Sequence, residues 1–385
     1  MIKIPNAKVY KVGGCVRDYL LGIVATDNDY VVVGSNPKQM LSLGFKQVGK
    51  NFPVFLHPTT GEEYALARSE KKVSAGYTGF SFDTNEKITL LEDLARRDLT
   101  INAIAQDEHG NLIDPFGGIA DLKNQVLRHV SAAFVEDPLR VLRIARFQAR
   151  FNFAIADETM LLMHQIVKST ELTTISKERI WGELHRALIS AFPYNFFILL
   201  EQIGAFGQIL TQFKRCFQIK PNNINWLKVV CDQMVEHKYI LNERLAILFY
   251  ALCQYSEDYD NEQTYVDLGL NRNAKKLGQL LVRQLPQIYK LPQLTTEELF
   301  VLINILSKND QESRQQLIRL STHIAQITHT EILFFKHMIA INLLLTEVSN
   351  INYAELLNNV PKNRQAETIR CFKLLLIDNL IKKLN

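Results

Sequence analysis

Two aspartates one residue apart, Asp27 and Asp29, stand at the head of an apolar run, Tyr30-Val31-Val32-Val33. Side chains alternate along a strand with period two, so both carboxylates are expected on one face. Side by side they repel each other unless a cation sits between them. Just upstream, in Val12-Gly13-Gly14-Cys15-Val16-Arg17-Asp18, a Gly-Gly turn leaves backbone N–H groups open, and Arg17 adds a fork of donors suited to phosphate. A divalent-metal site beside a phosphate cradle is the outline of a nucleotidyl-transfer centre. Taken alone, Gly-Gly is a turn and Asp-x-Asp a solvated strand end. Their order, and the partners that follow, point to chemistry.

The first partner is Arg96-Arg97-Asp98-Leu99-Thr100-Ile101-Asn102-Ala103. Two arginines beside an aspartate make a surface salt bridge when nothing else is near. Joined to a carboxylate pair and a Gly-Gly turn, they offer cationic forks for β- and γ-phosphates, with Asn102 able to bond sugar or phosphate. Asp114-Pro115-Phe116-Gly117-Gly118 reads mainly as an architectural turn with Asp114 in an Asx role, a contact to sugar or metal being the alternative.

The last partner runs from Glu136 to Phe147, where Asp137, Arg140, Arg143 and Arg146 are spaced by three and form a stripe along one helix face. Asp followed by Pro is what a helix N-cap looks like, and an arginine stripe can be a solvated face. With Arg150, however, four basic residues follow one another with no acid between them. Their repulsion predicts an anionic ligand.

The elements that must position these groups change character along the chain. Val9–Val12, Tyr30–Val33, Phe45–Val48, Val54–His57 and Glu63–Ala67 read as strands between Gly, Pro and Asn punctuation. Asn102–Gln106 and Leu112–Asp114 read as a further turn-bounded pair, and Cys15–Leu21 and Pro37–Leu43 as helices. From Glu136 onward apolar residues recur at helical spacing, as in Glu243–Gln254 and Glu331–Glu347. The expected fold is an α/β head of nucleotidyltransferase type followed by an elongated all-α neck, body and tail. The expected divisions are a catalytic head at 1–135, a nucleotide-recognition neck at 136–215 and a body and tail at 216–385, with a softer break near Lys214–Asn225.

A length of 385 residues suits two or more structural units. Hydrophobic content of 47% and charged content of 22% are those of a globular protein with a large core. A net charge of +4 permits a nucleic-acid partner without demanding one. Five scattered cysteines read as reduced thiols. The N-terminus lacks the apolar core of a signal peptide, and apolar runs such as Leu245–Cys253 are too short to span a bilayer. The expectation is cytoplasmic, without a membrane and with no obligate protein partner evident.

Gly-Gly-x-Val-Arg-Asp, Asp-x-Asp, Arg-Arg-Asp-x-Thr-Ile-Asn-Ala, Asp-Pro-x-Gly-Gly and Glu-Asp-x-x-Arg occur here in the order found in class II CCA-adding enzymes (tRNA nucleotidyltransferases), which this sequence closely resembles from Val12 to about Leu188. Tyr77-Thr78-Gly79-Phe80 and Glu178-Arg179-Ile180-Trp181-Gly182-Glu183 extend the likeness. The resemblance implies template-independent addition of C, C and A to the 3′ end of tRNA from CTP and ATP. It implies that Asp27 and Asp29 bind catalytic Mg2+, and that the family's further strand carboxylate falls on Glu63, with Glu62 beside it as the other candidate. It implies phosphate contacts from Gly14, Arg17 and Arg97, and places Asp98 and Asn102 in the nucleotide site. Asp137 and Arg140 would read the base, Arg143 and Arg146 would complete the pocket, and Ser69–Ser81 would be the mobile loop that acts in the switch from CTP to ATP.

Base chemistry agrees with that pairing. Cytosine and adenine each present an amino donor beside a ring-nitrogen acceptor, which a carboxylate and a guanidinium complement. Uracil and guanine reverse the order, and such a mismatch can cost roughly 10⁴–10⁵-fold.

In relatives with a phosphohydrolase domain a Leu-Cys-His-Asp-type segment carries metal ligands. The most similar segment here, Leu252-Cys253-Gln254-Tyr255, has neither His nor Asp, so that side activity is expected to be absent. The rival functions are a bacterial poly(A) polymerase, kept open by Lys50-Asn51-Phe52-Pro53, and a partial CC-adding or A-adding enzyme. A non-catalytic RNA-binding module is disfavoured by the presence of both Asp27 and Asp29. By resemblance the arm grips tRNA, with Lys275, Lys276, Arg283, Arg314, Lys382 and Lys383 as candidate phosphate contacts.

Overall fold

The computed structural model describes residues 3–25, 27–48, 54–72, 80–83, 86–211, 223–253, 262–309, 311–328 and 330–384. They fall into two compact units, Met1–Thr211 and Gln212–Asn385. The expected head and nearly all of the expected neck share the first unit. Most of the softer break at Lys214–Asn225, and all of Lys50-Asn51-Phe52-Pro53, lie outside the described residues.

The first unit is built on a seven-stranded sheet of order β3-β4-β5-β2-β1-β8-β9. Its strands are β1 (Lys8–Val12), β2 (Asp29–Val33), β3 (Lys46–Val48), β4 (Val54–Leu56), β5 (Glu63–Leu66), β8 (Ala105–Gln106) and β9 (Leu112–Ile113). Strand β2 runs antiparallel to β1 and parallel to β5, with Asp29 opposite Glu63 and Tyr30 opposite Tyr64. Alternation divides β2 between two cores. Tyr30 and Val32 pack with Met40, Phe45, Phe55 and Tyr64, while Val31 packs on the other face with Val12, Ala67, Leu94 and Ala103. By the same period Asp29 and Glu63 belong to the Val31 face.

The predicted strand at 102–106 is shorter than expected, because Thr100–Asn102 forms a 3-10 turn before β8. A two-stranded ribbon was not foreseen: β6 (Ser69–Lys72) pairs antiparallel with β7 (Phe80–Asp83). It forms the two ends of the expected mobile loop, and residues 73–79 between them lie outside the described residues.

Four helices accompany the sheet. Helix α1 (Gly14–Leu20) follows the Gly-Gly turn, α2 (Pro37–Ser42) is capped by Asn36, α3 (Leu90–Ala95) opens with a Thr89–Glu92 capping box, and α4 (Gly118–Asn124) follows Asp114. Both Asp114 oxygens accept backbone amides, from Gly118 at 2.7 Å and Ile119 at 2.9 Å. This is the architectural role expected of Asp114. Its helix presses so close that a Cβ on Gly118 would stand 2.2 Å from the Thr100 carbonyl.

The neck begins with α5 (Leu139–Phe151), whose Val141, Leu142, Ile144, Ala145 and Ala149 are buried against α7 (Lys177–Leu188) and α8 (Pro193–Gln202). A short parallel pair, β10 (Val126–Leu127) with β11 (Ala154–Ile155), fastens the chain after α5 back to the head.

The second unit is helical among its described residues, from Asn223–Glu236 through Gln365–Leu384. One sequence expectation is amended here. Ile332–Ser349 is long enough, and with a mean hydropathy of 1.5 apolar enough, to cross a bilayer. In this structure it packs against Arg272–Tyr289, Thr296–Lys308, Gln311–Ile327 and Gln365–Leu384. It buries Phe334, Met338, Ile341, Leu344 and Val348, and His337 Nδ1 lies 2.7 Å from the Ile288 carbonyl oxygen.

Candidate nucleotide-binding site

The motifs converge on one cleft of about 690 Å3 in the first unit. It is bounded by the start of α1, the start of β2, the chain after α3, and facing sides of α5 and α7. Its described lining holds ten arginines and five aspartates. Asp93 and Glu183, buried behind that lining, offset two more cations, and an excess of positive charge remains. Such a concave basic surface concentrates polyanions.

At one end stand the acids. Asp27 precedes β2 and Asp29 is its first residue, so the pair spans the end of the strand instead of lying within it. Both line the cleft. The Asp29 carboxyl is raised above the usual aspartate value, by burial first and by the Asp27 charge as well, with Arg97 opposing. Glu62 and Glu63 differ in the face they occupy. Glu62 accepts from Asn28 Nδ2 at 3.0 Å, Tyr30 OH at 3.3 Å and Thr60 Oγ1 at 2.9 Å, which occupies it structurally. Glu63 sits opposite Asp29 but does not line the cleft. Among the described residues no group of three or more His, Cys, Asp or Glu is gathered as a metal cluster.

Beside the acids lies the cradle. Gly13, at φ +74° and ψ −129°, occupies a backbone region that essentially only glycine adopts. A Cβ there would also stand 2.9 Å from Arg97 Nη1. Arg17, 3% exposed, donates to Asp18 Oδ1 through Nε at 2.9 Å and Nη2 at 2.8 Å, and to Asn102 Oδ1 through Nη1 at 2.5 Å. Its guanidinium lies 5.2 and 5.1 Å from the Phe147 and Phe151 ring centres. Burial lowers its pKa from the ordinary arginine value, with Asp18 opposing. Arg17 is thus held chiefly by protein groups, with its edge in the cleft.

Both oxygens of Asp98 are engaged by protein groups. Its Oδ1 accepts from the Leu99 amide and Asn102 Nδ2, each at 2.9 Å, and its Oδ2 from Arg143 Nε at 2.7 Å. Burial works against its charge, yet Arg143, Asn102 and Arg140 outweigh it and hold the carboxyl far below the usual range. Asp98 therefore positions Asn102 and Arg143.

The arginine stripe on α5 is not relieved by a ligand alone, contrary to the sequence expectation. Acids from other elements meet it. Arg150 pairs with Asp18 at 2.9 Å, Arg143 with Asp98 at 2.7 Å, and Arg146 with Glu183 at 2.5 Å. Glu183, 1% exposed, also takes Arg186 at 2.7 Å. It was visible in the sequence only as part of a motif, and its role as the common anchor needs the fold.

At the far end Asp137 has the expected capping role and a partner that was not foreseen. Its Oδ1 accepts the Leu139 amide at 3.0 Å, capping α5, and its Oδ2 accepts Arg179 Nη2 at 2.9 Å. Arg140 donates to the Ala133 carbonyl at 2.8 Å and the Arg96 carbonyl at 2.6 Å. Both residues line the cleft. Arg179 was not singled out from the sequence as a site residue.

The candidate tRNA contacts of the arm are dispersed. Lys275 Nζ lies 3.9 Å from the Tyr265 ring centre, Lys276 donates to Ser313 Oγ at 3.1 Å, Lys382 pairs with Asp378 at 2.7 Å, and Arg314 borders a separate cavity.

Residues 9–128 match the family model described as the Poly A polymerase head domain, and residues 152–217 the one described as a probable RNA and SrmB-binding site of polymerase A. The chain is 51% identical over 253 residues to a protein of Nitrosospira multiformis named Multifunctional CCA protein, covering 64% of this chain and 61% of that one. It is 57% identical over 222 residues to a protein of the same name from Shewanella denitrificans, covering 57% and 54%. This chain therefore spans about three fifths or less of the length of these relatives. A CCA-adding enzyme of Bacillus stearothermophilus, solved in complex with CTP, shares the fold with a TM-score of 0.68 at 22% identity over 97% of this chain and 89% of that one. One of Thermotoga maritima, solved with tRNA, does so with a TM-score of 0.68 at 22% identity over 98% and 91%.

Proposed function

We propose that this chain is a class II CCA-adding enzyme, a tRNA nucleotidyltransferase that extends the tRNA 3′ end by C, C and A from CTP and ATP with release of pyrophosphate. The observation that carries the reading is the cleft, where a Gly-Gly cradle, the Asp27–Asp29 pair and an excess of arginine line one cavity.

The donor set at the acid end suits Mg2+. Asp27 and Asp29 offer hard carboxylate oxygens, and the Asp29 carboxyl, raised first by desolvation and then by the Asp27 charge, is one a cation would stabilise. Glu63, beside Asp29 across the sheet, is the proposed third carboxylate. A bound Mg2+ supplies charge neutralisation at the reacting phosphate and alignment of the attacking hydroxyl. The Gly13-Gly14 turn, Arg17 and Arg97 hold the triphosphate, and Asn102 holds sugar or phosphate. Asp98 sets Asn102 and Arg143. Asp137 and Arg140 read the amino-donor and ring-acceptor edge shared by cytosine and adenine, after Asp137 exchanges Arg179 or shares it. Arg143 and Arg146 close the pocket.

In this reading residues 1–135 are the catalytic head, 136–215 the recognition neck and 216–385 the tRNA-gripping body and tail, in a cytoplasmic enzyme. The matched head family is named for poly(A) polymerase, which keeps that reading as the rival. One experiment separates them: purified protein is incubated with tRNA lacking its CCA end and each labelled NTP in turn. Addition of two C and one A is expected. A run of A, or a halt after CC, replaces the proposal with the rival it names, and no incorporation of any NTP ends it.

A further inference from the structure

We propose that Asp93 is a positioning residue that couples the phosphate grip to base selection in this cleft; the role rests on the nucleotidyl-transfer reading above. Asp93 lies in α3 and is fully buried, at 0% exposure. It is not itself part of the cleft lining, yet Arg68, Arg96 and Arg97, which it contacts, all are.

Three connections leave its two oxygens. Oδ2 accepts Arg97 Nη2 at 3.1 Å. The other end of that guanidinium donates to the Asn102 carbonyl at 3.3 Å and stands 2.9 Å from where a Gly13 Cβ would be, beside the cradle and close enough to Asp29 to oppose its raised carboxyl. Oδ1 accepts Arg96 Nη2 at 2.9 Å and Nε at 3.3 Å. The carbonyl of Arg96 in turn receives Arg140 Nη2 at 2.6 Å, so the same turn of chain seats the proposed base reader. Oδ1 also accepts the Arg68 backbone amide at 3.4 Å, at the root of the β6–β7 ribbon.

Helical spacing explains how one residue reaches both arginines, since Arg96 and Arg97 are its i+3 and i+4 neighbours. A buried carboxylate is costly unless paired. Arg96 and Arg97 supply that pairing, and beyond charge balance the carboxylate orients the two guanidiniums. A displacement of about 1 Å in such positioning groups can cost on the order of 100-fold in rate.

The test uses the full chain with Asp93→Glu, which keeps the charge and moves it by one methylene, and Asp93→Asn, which removes it. Binding of inorganic tripolyphosphate is measured calorimetrically without tRNA. The kcat/KM ratio of CTP to UTP is measured with tRNA, alongside a melting curve. For Asp93→Glu, tripolyphosphate binding weakened by about tenfold and a CTP-to-UTP ratio reduced by about tenfold are expected in a folded protein. Asp93→Asn should go further, and where it does not fold, Asp93→Glu decides. Unchanged binding and an unchanged ratio, with only a lowered melting temperature, would overturn the proposal. Absence of nucleotide addition by the unaltered chain would instead strike the functional reading, and the tripolyphosphate measurement would still decide whether Asp93 sets the grip.

Discussion

Arg179 of α7 donates to the Asp137 carboxylate at 2.9 Å, while the other oxygen of that carboxylate holds the Leu139 amide at 3.0 Å. One side chain therefore ends α5 correctly and ties it to α7. The N-cap role and the base-reading role are not exclusive. The capping oxygen is used inside the helix end, and the oxygen facing Arg179 is the one a nucleobase amino group would seek.

Asp137→Asn separates the two roles, because asparagine caps a helix about as well as aspartate but is a weaker partner for a guanidinium or an amino donor. Its melting temperature should fall little, in line with a part-exposed ion pair worth roughly 1 kcal/mol or less. Discrimination of CTP and ATP from UTP and GTP should fall by on the order of 100-fold. Steady-state kinetics with all four NTPs beside a melting curve checks both halves, and unaltered selectivity would remove base reading from Asp137.

Asp27→Ala and Asp29→Ala should each reduce nucleotide addition by on the order of 10³-fold or more, since each deletes a carboxylate of the proposed metal pair. The fold should survive. The raised Asp29 carboxyl means that its charged form costs the folded state something, so Asp29→Ala should melt at the same temperature or slightly higher. Near-normal turnover in either variant at saturating Mg2+ contradicts the assignment.

The pH dependence follows from the same residue. An acid whose pKa is raised on folding binds protons more readily in the folded state, so it withdraws stability as pH rises from its unfolded value through its folded one. Asp98 has the opposite sign. Its depressed carboxyl contributes stability that is complete above the unfolded value and is lost as pH falls toward the folded one. At limiting Mg2+ the acid limb of kcat/KM should lie above the ordinary aspartate range and move downward as Mg2+ is raised. A limb that ignores Mg2+ concentration would detach Asp29 from metal binding.

What the sequence discloses, and what it hides, follows from how far apart the partners lie. Strand β2 was legible because Tyr30–Val33 is an apolar run opened by Asp29 and closed by Gly34, and the site motifs were legible because each is a short local pattern. The neutralisation of the arginine stripe was not. Its acids meet it across 132 positions for Asp18, 45 for Asp98 and 37 for Glu183, and helical periodicity reads one element at a time. That Glu63, and not Glu62, stands opposite Asp29 needed the β2–β5 register, because adjacent residues differ only in the face they occupy. The β6 strand, Ser-Glu-Lys-Lys, has no apolar alternation by which a strand is read.

Gly13→Ala offers a test of the cradle that touches no charged group. The residue has φ +74° and ψ −129°, a conformation whose cost to alanine is about 1–3 kcal/mol. The added Cβ would lie 2.9 Å from Arg97 Nη1, the flexible end of a side chain, so the guanidinium can move away. Moving it breaks its registry with the Asn102 carbonyl and with Asp93. The variant should therefore fold with a lowered melting temperature and show a KM for both CTP and ATP raised by about tenfold or more, since the grip on the phosphates is common to both. The ratio of CTP to ATP incorporation should hold, because Gly13 and Arg97 meet no base edge. A variant that loses stability while keeping its KM for both nucleotides would place the Gly13–Arg97 contact outside substrate binding.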